Sequence, residues 1–121
     1  MKLTDRPLLL VGVIAVGGLV AACGASSPSA TPRTIEVSAK EFAFTPSEIT
    51  IDAGEVVTIA VTNNGTVEHD MTITAADFIL LAHVGETATA QLGPLGAGTY
   101  EITCSVLGHE DAGMTATLTV K

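Results

Sequence analysis

Residues 98–120 read G-T-Y-E-I-T-C-S-V-L-G-H-E-D-A-G-M-T-A-T-L-T-V. At its two ends apolar and polar side chains alternate. Tyr100, Ile102 and Cys104 oppose Thr99, Glu101 and Thr103, while Met114, Ala116, Leu118 and Val120 oppose Thr115, Thr117 and Thr119. Alternation with period two is the pattern of a strand that buries one face. Between the two runs the alternation stops, and Gly108 and Gly113 free the backbone to bend. The stretch therefore predicts two strands joined by a loop.

The same period runs outward from this stretch. Ile35 and Val37, Phe42 and Phe44, Ile49 and Ile51, Val57, Ile59 and Val61, Met71 and Ile73, and Ala88, Ala90 and Leu92 form short runs. Turn signals divide them at Ala53–Gly54, at Asn63-Asn64-Gly65 and at Gly96-Ala97-Gly98. Seven to eight short strands between residues 34 and 121 predict an all-β, Greek-key β-sandwich. Residues 75–84, A-A-D-F-I-L-L-A-H-V, fit either a strand or a helical turn crossing between sheets. With one Tyr, three Phe and no Trp, the core must come mainly from Val, Ile, Leu and Ala.

The loop carries chemistry. Cys104, His109 and Met114 are spaced five apart, and His69 lies upstream in N-N-G-T-V-E-H-D. Thiolate, imidazole and thioether form the soft donor set that copper favours, as a His₂Cys plane with a weak axial Met. Parity places His69 in phase with Met71 and Ile73, Cys104 with Ile102, and Met114 with Leu118, so all three point inward. Donors five apart do not share a helical face, which suits a loop wrapped around a centre with His109 nearest to solvent. Met71 reads as core, and His83, with no ligand-spaced neighbour, as surface.

The N-terminus reads as an export signal. Lys2 and Arg6 precede an apolar run from Pro7 to Val20, followed by Ala21, Ala22 and Cys23. V-A-A-C resembles a bacterial lipobox, which implies residues 1–22 as a lipoprotein-type signal peptide and lipidation of Cys23. Residues 23–33 then form the lipidated Cys and a flexible tether rich in Ser, Ala and Pro, with the domain at 34–121. Lipidation of Cys23 leaves Cys104 without a disulfide partner, and a lone thiol in an oxidising compartment needs a role such as metal binding. Beyond residue 22, three bases face twelve acids, a net charge of −9. Such a surface argues against nucleic-acid binding and disfavours docking on anionic lipid. It would either steer a basic partner or simply aid solubility.

E-F-A-F-T-P-S-E-I-T-I-D-A-G-E-V-V-T (41–58), N-N-G-T-V-E-H-D (63–70), G-A-G-T-Y-E-I-T-C (96–104) and C-S-V-L-G-H-E-D-A-G-M (104–114) occur in succession. Together they make residues 34–121 resemble a cupredoxin, the blue (type 1) copper domain of the plastocyanin and azurin superfamily. The resemblance implies one copper ion cycling between Cu(II) and Cu(I), with His69, Cys104, His109 and axial Met114 as ligands on an eight-stranded Greek-key sandwich. Two positions depart from the family pattern. The Asn that commonly follows the first ligand histidine is Asp70, whose carboxylate can still accept hydrogen bonds near Ser105, and the Pro before the loop's Gly-His is Leu107.

The expected function is single-electron transfer between redox proteins at the outer face of the cytoplasmic membrane, reached through the lipid anchor. The alternative is extracytoplasmic copper storage or delivery, which usually exposes several Met or His. Beyond the start residue this chain has only Met71 and Met114. An oxidase needs further copper, typically held by His-x-His pairs that are lacking among three histidines, so no enzyme is expected. Zinc suits Cys and His but takes Met poorly. No sequence feature signals oligomerisation, and a monomer is expected.

Overall fold

The structure, a computed structural model, describes residues 17–18 and 30–121. Apart from Gly17 and Gly18, the expected signal peptide lies outside the described residues, as do Cys23 and the expected tether up to residue 29. Nine strands follow: β1 (Thr34–Lys40), β2 (Ala43–Thr45), β3 (Glu48–Ile51), β4 (Val57–Asn63), β5 (His69–Ile73), β6 (Phe78–Ala82), β7 (Thr87–Leu92), β8 (Gly98–Thr103) and β9 (Thr115–Val120). They form a four-stranded sheet in the order β2-β1-β4-β7 and a five-stranded sheet in the order β3-β9-β8-β5-β6. Two non-sequential neighbours, β1 with β4 and β3 with β9, run parallel, and the remaining pairs are antiparallel.

The strand count exceeds the expected seven to eight because the segment at 75–84 contains both of the elements it suggested. A 3₁₀ turn at Thr74–Ala76 ends on Asp77, whose φ of 49° reverses the chain into β6. Polar short-chain residues tolerate that left-handed conformation better than others.

The two sheets bury most of the side chains that the alternation marks as inward. Ile35, Ala88 and Ala90 are only partly buried. Phe42, expected in a strand with Phe44, instead lies in the β1–β2 turn and is 44% exposed. Val37, Ile51, Ile59, Val61, Met71, Ile73, Ile102 and Leu118 all lose their contact with solvent. Each such burial is worth about 1.5–3 kcal/mol in transfer from water, which offsets the chain entropy of ordering the strands. Tyr100 is only half-buried, and its hydroxyl donates to the carbonyl of Gly96 at 2.9 Å.

Topology gathers the candidate ligands at one end. His69 starts β5, Cys104 follows the last residue of β8, and Met114 precedes the first residue of β9. Because β8 is antiparallel to both β5 and β9, with Thr103 paired to Thr72 and to Thr115, these three strand ends are neighbours. Parallel pairing of β1 with β4, with Ala39 opposite Asn63, brings the β1–β2 turn to the same end.

Candidate metal centre

His69, Cys104 and His109 form a buried donor cluster, the one such group of His, Cys, Asp and Glu among the described residues. The Nδ1 atoms of His69 and His109 are 3.2 Å apart, and Cys104 Sγ lies 3.4 Å from His109 Nδ1 and 4.0 Å from His69 Nδ1. A triangle with these sides has its circumcentre about 2.1 Å from each corner, the range of metal–imidazole and metal–thiolate bonds. The donors are thus spaced for a single ion. Met114 is fully buried beside them, and the backbone holds it there. Cys104 N–H donates to Met114 C=O at 3.2 Å, and Met114 N–H donates to His109 C=O at 3.0 Å.

The connecting loop folds into consecutive turns, with His109 N–H donating to Val106 C=O and Gly113 N–H to Glu110 C=O. Gly113, immediately before Met114, takes a φ of +94°, a conformation that a side chain would oppose. His69, Cys104 and Met114 have no exposure, whereas His109 retains 8%. The solvent-side ring of the cluster is therefore His109. Phe42 packs edge-on against it, with centroids 5.2 Å apart at 75°, and Leu107 beside it is 98% exposed.

Burial pushes the Cys104 thiol up, opposed by the amides of Asp70 and Val106, and the Asp70 charge pushes it further up. The Asp70 amide approaches the sulfur at 3.4 Å. Metal-free Cys104 is therefore a thiol at neutral pH, and a cation in the cluster is what makes a thiolate favourable there.

Two carboxylates brace the cluster. Asp70 accepts from the Ser105 amide at 2.9 Å, the Ser105 hydroxyl at 2.6 Å and the Thr72 hydroxyl at 2.7 Å. Glu41, in the β1–β2 turn, accepts from the Thr66 amide at 2.6 Å, and from the Thr66 hydroxyl and the Val67 amide at 3.2 Å. The Thr66 amide foremost, then Glu41's own amide, and to a lesser degree the Thr66 hydroxyl and the Val67 amide, pull its carboxyl down to about 2. Its Oε1 stands 3.4 Å from His69 Nε2, an electrostatic contact that leaves this buried nitrogen without a hydrogen bond. Buried Asn63 shapes the same loop, donating to the carbonyls of Val67 and Ala82 and accepting from the Gly65 amide.

The sequence-expected ligands His69, Cys104, His109 and Met114 are thus brought together, with Asp70 and Ser105 joined behind them. Met71 lies in the core, and exposed His83 pairs with Glu68 at 2.5 Å. Glu41, Phe42, Asn63 and Gly65 join the site without having been expected there. The sequence places Phe42 in a strand run and Asn63-Asn64-Gly65 in a turn, and their proximity to His69 depends on the β1–β4 pairing.

The model of the cupredoxin-like domain family matches residues 12–120, and the chain belongs to that family. It is 29% identical over 151 residues to auracyanin-A of Chloroflexus aurantiacus, with 90% of this chain and 93% of that protein covered. The solved structure of auracyanin A, a "blue" copper protein from that bacterium, matches with a TM-score of 0.64 at 28% identity, covering 75% of this chain and 100% of the other. Auracyanin B matches with a TM-score of 0.67 at 25% identity, covering 75% and 91%. A multicopper oxidase of Campylobacter jejuni shares the fold alone, with a TM-score of 0.66 at 18% identity, covering 78% of this chain and 31% of that one. Family, donor set and spacing together match a single type 1 copper ion.

Proposed function

We propose that this protein is a blue copper electron carrier, with His69, Cys104 and His109 as the equatorial ligands and Met114 as the axial one. The carrying observation is the cluster's enclosure: three of the four donor residues are fully buried, and the fourth, His109, is 8% exposed. Copper bound there would supply one-electron redox chemistry at a site with one thiolate, two imidazoles and a thioether. The chain's own residues exclude water, hold the donors in place and leave one imidazole facing solvent as the route for an electron. Exposed Leu107 and Phe42 flank that route and offer an apolar contact for a redox partner. The chain's net charge of −8 favours a basic donor or acceptor.

An electron carrier is favoured over an enzyme because two of the chain's three histidines are taken up by the cluster and the third pairs with Glu68 at the surface. Export, lipidation at Cys23 and residence at the outer face of the cytoplasmic membrane remain part of the proposal and rest on the N-terminal sequence. A monomeric state, for which the sequence carries no contrary signal, is also part of it. No described helix is long and apolar enough to cross a membrane.

The second reading, copper storage or delivery, makes an opposite kinetic demand. Copper-loaded protein should exchange electrons rapidly with a small basic redox protein and surrender its copper slowly to a chelator. Rapid loss of copper to the chelator without electron exchange would overturn the carrier reading in favour of delivery.

A further inference from the structure

His69 directs Nδ1 toward the Cys104 sulfur and the His109 ring. A neutral imidazole that binds a metal through Nδ1 must carry its proton on Nε2. That nitrogen is buried and has no hydrogen-bond partner. The Glu41 carboxylate faces it, with Oε1 at 3.4 Å.

Glu41 is itself held from the other side. Its Oε1 accepts from Thr66 and Val67, in the loop that leads into His69. Gly65 stands beside the pair, where a Cβ would sit 2.5 Å from Glu41 Oε1 and 2.8 Å from His69 Nε2, too close to both. An unpartnered buried ring nitrogen, a pinned carboxylate facing it and a residue kept bare beside both converge on one contact.

We infer that Glu41 is a positioning residue for His69: its carboxylate accepts a hydrogen bond from Nε2–H, fixes the ring's tautomer and orientation, and favours the more positive copper state. This role rests on the copper reading proposed above. Metal-bound histidines characteristically give their second ring proton to a carboxylate or carbonyl, which raises their basicity as donors. A carboxylate adds negative charge, and the oxidised site, with one more positive charge, gains more from it. Glu41 therefore lowers the reduction potential. Its side chain is 30% exposed, so salt screens part of the effect.

The test compares the copper-loaded full chain with Glu41→Gln, which keeps the shape and the acceptor oxygen but removes the charge. The blue absorption should persist in both, while the variant's potential rises, by more at low salt than at high salt. In the wild-type Cu(I) protein, nitrogen-resolved NMR of the histidine rings should show a His69 Nε2 proton that is protected from exchange and shifted downfield. Glu41→Leu should move that resonance upfield and speed its exchange. A blue Glu41→Gln protein with unchanged potential, or a wild-type Nε2 proton exchanging like that of a surface imidazole, would overturn the role of Glu41. The NMR result stands even if a variant fails to fold. A wild type without blue absorption would instead overturn the copper reading, and the role of Glu41 with it.

Discussion

Asp70 and Ser105 are joined twice: the Asp70 carboxylate accepts from the Ser105 amide at 2.9 Å and from its hydroxyl at 2.6 Å. Asp70 follows His69 on β5, and Ser105 follows Cys104 after β8. The pair therefore ties two ligand-bearing segments together and sets a buried negative charge next to the cluster. Replacing Asp70 with Asn keeps an acceptor for the Ser105 amide and removes the charge. The reduction potential of Asp70→Asn should exceed that of the wild type, as measured by voltammetry. An unchanged or lower potential would refute the electrostatic role.

Asp70→Ala removes the clasp as well as the charge. Partners behind a metal ligand are typically worth about 10–100-fold in affinity, and a loss of that order is expected for copper in competition titrations. Ser105→Ala keeps the amide contact and should lose less.

Met114 and Met71 are equally buried but have different expected roles. Met71→Leu is a volume-conserving core exchange, expected to cost less than about 1.5 kcal/mol in urea unfolding and to leave the visible spectrum unchanged. Met114→Leu removes a weak thioether donor from the charged ion, so its spectrum should change and its potential rise. If Met71→Leu altered the colour and Met114→Leu did not, the axial assignment would pass to Met71.

Metal uptake should release a proton. Burial raises the Cys104 thiol above its ordinary range, so it is protonated at pH 7 and must lose its proton to become a ligand. Copper affinity should therefore rise with pH, about tenfold per unit while the thiol remains protonated in the metal-free protein. Dye-monitored titration should detect proton release on copper addition to the wild type and none from this position in Cys104→Ser.

Bound copper should also stabilise the fold. Free copper at about a thousand times its dissociation constant contributes about 4 kcal/mol. For a domain of this size each kcal/mol moves Tm by about 4–8 °C, so calorimetry should show a rise of tens of degrees that Cys104→Ser abolishes.

Much of the architecture was legible because alternation in a sandwich reports directly on burial. Met114, Ala116, Leu118 and Val120 are all buried, while the intervening threonines keep some exposure. The direction of Cys104 was readable for the same reason, as it extends the apolar face of β8. By contrast, β5 is buried on both faces, Asp70 and Thr72 included, so alternation does not report the direction of His69. The extra strand was less legible: Phe78–Ala82 alternates buried with exposed, but exposed Ile79 and Leu81 are apolar, which conceals the period. Local pattern gave no sign of Glu41 at the site and misplaced Phe42, which alternation with Phe44 assigned to a strand but which lies in the β1–β2 turn. Both residues reach the cluster through the parallel register of Ala39 with Asn63, a contact between distant parts of the chain that leaves no periodic trace.

The central claim is that His69, Cys104, His109 and Met114 hold one type 1 copper ion. Its most direct test is the visible absorption spectrum of the protein after one equivalent of Cu(II). The account predicts an intense blue thiolate-to-copper band that Cys104→Ser abolishes. A colourless product, or a band that survives loss of the Cys104 sulfur, would contradict it.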